Sequence, residues 1–233
     1  MDDHREAADL DHVIEQAPIS KLQIFAITIC ALVAILDGFD AQSLGMLAPD
    51  IGDSLGIARE NFGPIFSAGF FGMFAGAVVL APLADRHGRK PMLYWSTLIF
   101  GIFTIASAYS SGFYSLLILR FLTGVGLGGA LPNILAYVSE YLPKKHMRTV
   151  IPVLMATVPL GAILGGALTS LLVPQYGWQS VLLVGGAIPV LLALFAIRRL
   201  PESARYLVRQ KNRQAELEGI MLRITGLAAP AGG

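Results

Sequence analysis

Residues 22–47 read LQIFAITICALVAILDGFDAQSLGML, an apolar run in which only Asp37 and Asp40 carry charge. A helix rises about 1.5 Å per residue and the hydrocarbon core of a bilayer is about 30 Å thick, so about twenty apolar residues cross it. This stretch is long enough. Five more follow, at 61–83, 91–110, 114–139, 149–173 and 178–197, with little polar sequence between them. The composition agrees: of 233 residues, 55% are hydrophobic and 14% charged, against about 25% charged in a soluble domain. The pattern specifies an all-α membrane protein, a six-transmembrane-helix bundle, because helices satisfy their own backbone polar groups in lipid.

The formal net charge is only +1, and its distribution carries the information. Arg86, Arg89 and Lys90 follow the second apolar run; Lys144, Lys145 and Arg148 follow the fourth; Arg198, Arg199, Arg205, Arg209, Lys211 and Arg213 follow the sixth. The opposite connections hold only Arg59. By the positive-inside rule both ends of the chain are cytoplasmic, and the loop with Asp50, Asp53, Arg59 and Glu60 is outside. Trp178 is then expected at the outer interface, in an aromatic belt. The lipid bilayer is the partner this composition implies, and no nucleic acid is expected.

Three segments result: a cytoplasmic N-terminal tail over 1–21, the membrane bundle over 22–199, and a cytoplasmic segment over 200–233 in which Arg205 to Arg223 reads as a basic amphipathic helix on the membrane face. The tail holds Asp2, Asp3, Glu6, Asp9, Asp11 and Glu15 and lacks the pattern of a cleavable signal peptide. From Leu227 the Ala/Gly/Pro-rich end reads as disordered. Cys30, the single cysteine, reads as a small core residue. Gly72 with Gly76, Gly124 with Gly128, and Gly161 with Gly165 have the spacing that lets helix backbones approach closely. Pro152, Pro159 and Pro189 are expected to bend the fifth and sixth helices.

Asp37 and Asp40 lie where an ionised carboxylate costs about 2.5–3.5 kcal/mol on insertion scales. Their spacing of three places both on one helix face, which must turn to the bundle interior or a water-filled cavity. Two neighbouring carboxylates can share charge unevenly, as a reversible proton carrier requires. An earlier end to the first helix would leave both in the headgroup region, but Leu44, Gly45, Met46 and Leu47 continue the apolar run. Arg120 is the only basic residue within an apolar run. It lies about 9 Å from the outer end of its helix, Asp40 about 10 Å and Asp37 about 15 Å from the same side, at 1.5 Å per residue. Opposite charges therefore share a depth, and a guanidinium there can pair with a carboxylate in one state and an anionic substrate in another. The bland alternatives are a purely structural ion pair or an arginine snorkelling outward.

The connection Leu83-Ala84-Asp85-Arg86-His87-Gly88-Arg89-Lys90 sets an acid and a glycine among three basic residues. Charge-assisted hydrogen bonds of Asp85 can lock the helices there, and Glu140, at the cytoplasmic end of the fourth helix, is a partner for Arg86 or Arg89. A pure topology signal would need neither Asp85 nor Gly88. His87 and His146 fall in loops, and no group of His, Cys and carboxylate has metal-ligand spacing. No catalytic residue, metal or cofactor is expected, only a proton as coupling ion.

These residues resemble the major facilitator superfamily. Asp85-Arg86-x-Gly88-Arg89-Lys90 is similar to its signature loop between helices two and three, with Ala81 where that motif usually has glycine. Arg120-x-x-x-Gly124-x-Gly126-x-Gly128-Gly129 resembles the fourth-helix motif associated with proton coupling, and Pro201-Glu202-Ser203-Ala204-Arg205-Tyr206-Leu207 the segment after helix six. Asp37-Gly38-Phe39-Asp40, followed by Gly45 and Ala48-Pro49, resembles the first helix of the aromatic acid:proton symporters, which import acids such as 4-hydroxybenzoate. The resemblance implies functional roles for Asp37, Asp40, Asp85, Arg120 and Glu140, an aromatic acid substrate, and an inner-membrane location. It also implies two six-helix halves around a central cavity, each an inverted pair of three-helix units, so the C-terminal six-helix half is an expected partner. No residue repeat between helices one to three and four to six is evident.

Three other classes compete with this reading. A sugar or organic-cation porter would share three of the motifs. Asp37-Gly38 is weakly similar to metal-binding phosphatidyltransferase sites, but Gln42 stands where those have Arg and no downstream Asp-x-x-x-Asp follows. A non-transporting membrane scaffold is the third class.

Overall fold

The computed structural model describes residues 19–208, 210 and 213–225. The acidic N-terminal tail up to residue 18, part of the basic stretch (Arg209, Lys211) and the end from residue 226 lie outside them. Six long helices dominate: α1 Lys21–Leu55, α2 Phe62–His87, α3 Arg89–Ser107, α4 Phe113–Tyr141, α5 Lys144–Tyr176 and α6 Trp178–Arg199. A 3-10 turn, Arg59–Asn61, precedes α2, and two short helices, α7 Ala204–Val208 and α8 Gln214–Thr225, follow α6. The basic amphipathic helix anticipated over 205–223 is thus two helices, separated around residue 210. No strand occurs among the described residues.

Five of the long helices are long and apolar enough to cross a membrane. The remaining one, α3, has 19 residues and starts on Arg89 and Lys90, yet packs along both α4 and α6 as a member of the same bundle. Local chemistry sets the ends. Ser20 caps α1 by accepting from Gln23 N at 3.3 Å, while Ser20 N donates to Gln23 Oε1 at 2.7 Å. The first helix runs eight residues beyond Leu47, through Pro49, Asp50 and Asp53, to a left-handed cap at Gly56 (φ 66°). At 35 residues it is about 52 Å long, so its last turns extend past a 30 Å hydrocarbon core. α5 and α6 run through Pro152, Pro159 and Pro189 without interruption.

Glycines set the packing. A Cβ on Gly72 would lie 2.0 Å from Phe121 O, and one on Gly124 2.1 Å from Gly69 O, so α2 and α4 touch backbone to backbone. α1 and α5 do the same at Gly38 and Gly161, where added Cβ atoms would fall 1.9 Å from Val158 O and 1.8 Å from Ile35 O. α3 meets α6 where Gly101 and Gly186 face each other. The pairing therefore recurs: α2 sits on α4 as α5 sits on α1. This is the pattern of an inverted three-helix repeat, present in packing although invisible in residue identity.

Two apolar cores bracket the middle of the bundle. One, near the basic connections, gathers Ile29, Val33, Tyr137, Tyr141 and Leu154; the other gathers Phe39, Leu47, Ile51, Leu116 and Trp178. Trp178, the first residue of α6, is 4% exposed and packs inside the second core, at the end of the bundle opposite the basic connections. Large apolar side chains elsewhere point outward, Phe71 and Phe74 of α2 among them, as a surface facing lipid or other helices requires.

Candidate functional site

Asp37 and Asp40 stand on the buried side of α1, and Arg120 on that of α4. Arg120 Nη1 reaches both oxygens of Asp40, at 3.1 and 3.3 Å. The pair is deeply enclosed, with side-chain exposures of 2% for Arg120 and 9% for Asp40. Asp37 is one helical turn away and makes no ion pair or hydrogen bond among the described residues. All three line one open cavity of about 200 Å³ between α1, α2, α4 and α5, whose other walls include Phe66, Phe70, Met73, Thr123, Leu127 and Val158. The equal depth read from the sequence is thus a direct contact for Asp40 and a shared cavity for Asp37.

Two residues that sequence reasoning passed over complete this cluster. Ser107 Oγ accepts from Arg120 Nη2 at 2.8 Å, and Thr104 Oγ1 donates to Asp40 Oδ1 at 3.5 Å. Both belong to α3, three residues apart. Their only signal was a pair of hydroxyls at helical spacing in an apolar helix, a pattern equally served by bonding to the preceding turn.

The second cluster lies at the basic end. Arg89 pairs with Asp85 at 2.6 Å and, through Nε, with Glu140 at 3.1 Å. Arg86 is exposed and makes no ion pair among the described residues; its carbonyl accepts from Tyr206 Oη at 3.4 Å. The expected four-residue network is therefore Asp85, Arg89 and Glu140, extended by residues beyond α6. Ser203 Oγ donates to the second oxygen of Glu140. Glu202 Oε1 accepts from Lys90 N at 3.1 Å and Ser203 N at 2.9 Å, so this carboxylate caps the start of α3. Burial pushes Glu202 above its ordinary value against the pull of these N–H donors. Gly88, at φ 103°, is required twice over: the backbone is left-handed, and a Cβ would fall 2.4 Å from Glu202 Oε2. Tyr137 and Tyr141 fasten the same segment by donating to the carbonyls of Pro201 and Glu202. His87 is exposed and, among the described residues, bonds only within its own helix, to Leu83 O.

A family model described as Major Facilitator Superfamily matches residues 30–230. The chain belongs to the major facilitator superfamily. Within this superfamily, the 4-hydroxybenzoate transporter PcaK of Pseudomonas aeruginosa is 43% identical over 211 residues, which make up 91% of this chain and 47% of that protein. The gallate transporter of Pseudomonas putida is 36% identical over 218 residues, 94% of this chain and 49% of that one. The partially occluded, inward-open xylose transporter XylE from E. coli superposes with a TM-score of 0.75 at 21% identity, covering 86% of this chain and 55% of XylE; this likeness concerns the fold alone. The chain spans about half the length of the curated relatives it matches. As a superfamily member with several apolar helices it is a multi-pass, membrane-embedded chain.

Proposed function

We propose that this chain is the N-terminal half of a proton-coupled symporter that imports small aromatic carboxylates, 4-hydroxybenzoate among them, and that it catalyses no chemical conversion. The observation that carries the reading is a buried guanidinium–carboxylate pair in the wall of a cavity lined mainly by aromatic and aliphatic side chains, with Asp37 and Thr123 as its further polar residues. An aromatic acid has the matching parts: a carboxylate for Arg120 and a ring for the surfaces of Phe66 and Phe70. Asp40 and the substrate anion compete for Arg120. A proton on Asp40 removes the competitor, so substrate and proton arrive together. Asp37, facing the same cavity without a partner among the described residues, serves as a second proton acceptor.

The cavity volume of about 200 Å³ is below the roughly 300–1,000 Å³ of enclosed small-molecule sites. A second six-helix half supplies the opposing wall, and rocking of the two halves exposes the site to each side in turn. The Asp85–Arg89–Glu140 cluster, with Gly88 and Glu202, holds one of these access states. The basic connections support a cytoplasmic side for this cluster and for both ends of the chain, and the likeness to aromatic acid transporters of bacteria supports an inner-membrane location.

Competition tests the substrate class. With the full-length protein in proteoliposomes, benzoates should displace labelled 4-hydroxybenzoate, whereas sugars and organic cations should not. Displacement by a sugar or cation, with benzoates inert, sinks the proposal in favour of another transporter subclass.

A further inference from the structure

The hydroxyls of α3 approach the Arg120–Asp40 pair from outside the cavity, which no α3 residue lines. Ser107 is fully buried. Its one proton is already committed, because Oγ donates to Phe103 O at 2.7 Å. A hydroxyl has one donor and two acceptor sites, so towards Arg120 Nη2, 2.8 Å away, Ser107 acts purely as an acceptor. A serine that merely bonded back along its helix would need no second partner.

The consequence shows in the ion pair. Arginine and carboxylate frequently meet through two nitrogens and two oxygens in parallel. Here Nη1 alone serves both Asp40 oxygens, at 3.1 and 3.3 Å, while Nη2 is occupied by Ser107. The Nε–H of Arg120 is buried without a partner, so the guanidinium is held by one anchor on α3 and one contact to α1.

We propose that Ser107 is a positioning residue: by holding Nη2 on α3 it confines the Arg120–Asp40 pair to a one-nitrogen contact that opens readily, and it keeps the guanidinium in the cavity wall when Asp40 lets go. This rests on reading the pair as the coupling site. Few other charges bear on Asp40. Asp37 stands one turn away on α1 and Arg120 on α4, while α2, α3, α5 and α6 bring no charged side chain to this depth.

The test is infrared difference spectroscopy of the purified full-length transporter against pH, without substrate, with Asp40→Asn identifying the carboxylic acid band of Asp40. In Ser107→Ala, Nη2 is free to turn to Asp40 and complete the fork. The band should then develop about one pH unit lower, a tenfold change in the protonation equilibrium, and Ser107→Thr, which keeps the hydroxyl, should return it to the wild-type position. Coincident titrations of wild type and Ser107→Ala overturn the proposal, and so does a shift that threonine leaves unreversed. Proton-driven uptake of 4-hydroxybenzoate is followed with the same variants, and its half-maximal pH should move in the same direction. An infrared shift in a protein that takes up no aromatic acid refutes the functional reading and leaves the positioning role standing. Uptake by the wild type with no infrared shift does the reverse.

Discussion

Replacing Asp40 by asparagine strips Arg120 of its anion while leaving the shape of the site almost unchanged. The guanidinium is 2% exposed, and its remaining polar partner among the described residues is Ser107. Removing one member of a buried ion pair typically costs about 3–5 kcal/mol, whereas replacing both with neutral residues of similar volume is often close to neutral. The cavity beside Asp40 lets water approach, which places the cost of Asp40→Asn near the lower figure, about 3 kcal/mol. Arg120→Met should cost a similar amount by orphaning the carboxylate. The double variant should be more stable than the sum of the two by about 2 kcal/mol or more, since neither charge is then left alone. The assay is denaturant unfolding of the full-length protein in mixed micelles, run as a double-mutant cycle. Additivity within about 0.5 kcal/mol would mean that the two charges are independent, and the reasoning about the pair would fail.

The packing and the basic-end cluster set further expected outcomes. Gly128→Ala sets a Cβ 1.9 Å from Met73 O and should prevent recovery of a monodisperse bundle on size exclusion, whereas Gly45→Ala, with nothing within 4 Å, should behave as wild type. Glu202 has a raised folded-state value, so its contribution to stability is fully present below the ordinary glutamate range and lost as pH rises through the raised value; Glu202→Gln should flatten that part of a melting-temperature profile. Asp85 is 60% exposed in its pair with Arg89, so Asp85→Asn should change stability by less than about 0.5 kcal/mol while slowing exchange, and Glu140→Gln, which releases both Arg89 and Ser203, should cost about 1.5 kcal/mol in the same unfolding assay.

The bundle was legible in the sequence because apolar length is a direct readout of lipid as solvent. Helix ends were less so. α1 continues to Leu55 because Asp50 and Asp53 remain compatible with helix once it has left the hydrocarbon, and apolarity marks the membrane boundary rather than the end of hydrogen bonding. Depth is legible for the same reason: Asp40 and Arg120 lie at similar distances from the ends of their apolar runs, and they meet. Side-chain choice among neighbours was not legible. Arg86 and Arg89 have equal charge and stand three apart, and only the turn at Gly88 decides that Arg89 faces Glu140. Ser107, Thr104 and Glu202 were invisible as partners because each is explained locally until a distant helix is placed beside it.

Uptake of labelled 4-hydroxybenzoate into vesicles holding the full-length protein, with the outside made acidic, tests the central claim most directly. Accumulation should rise with the imposed pH gradient, collapse when a protonophore dissipates it, fall sharply in Asp37→Asn, and vanish in Arg120→Ala, which removes the cation proposed to meet the substrate in the cavity wall. Accumulation that ignores the gradient, or that persists in Arg120→Ala, would contradict the account.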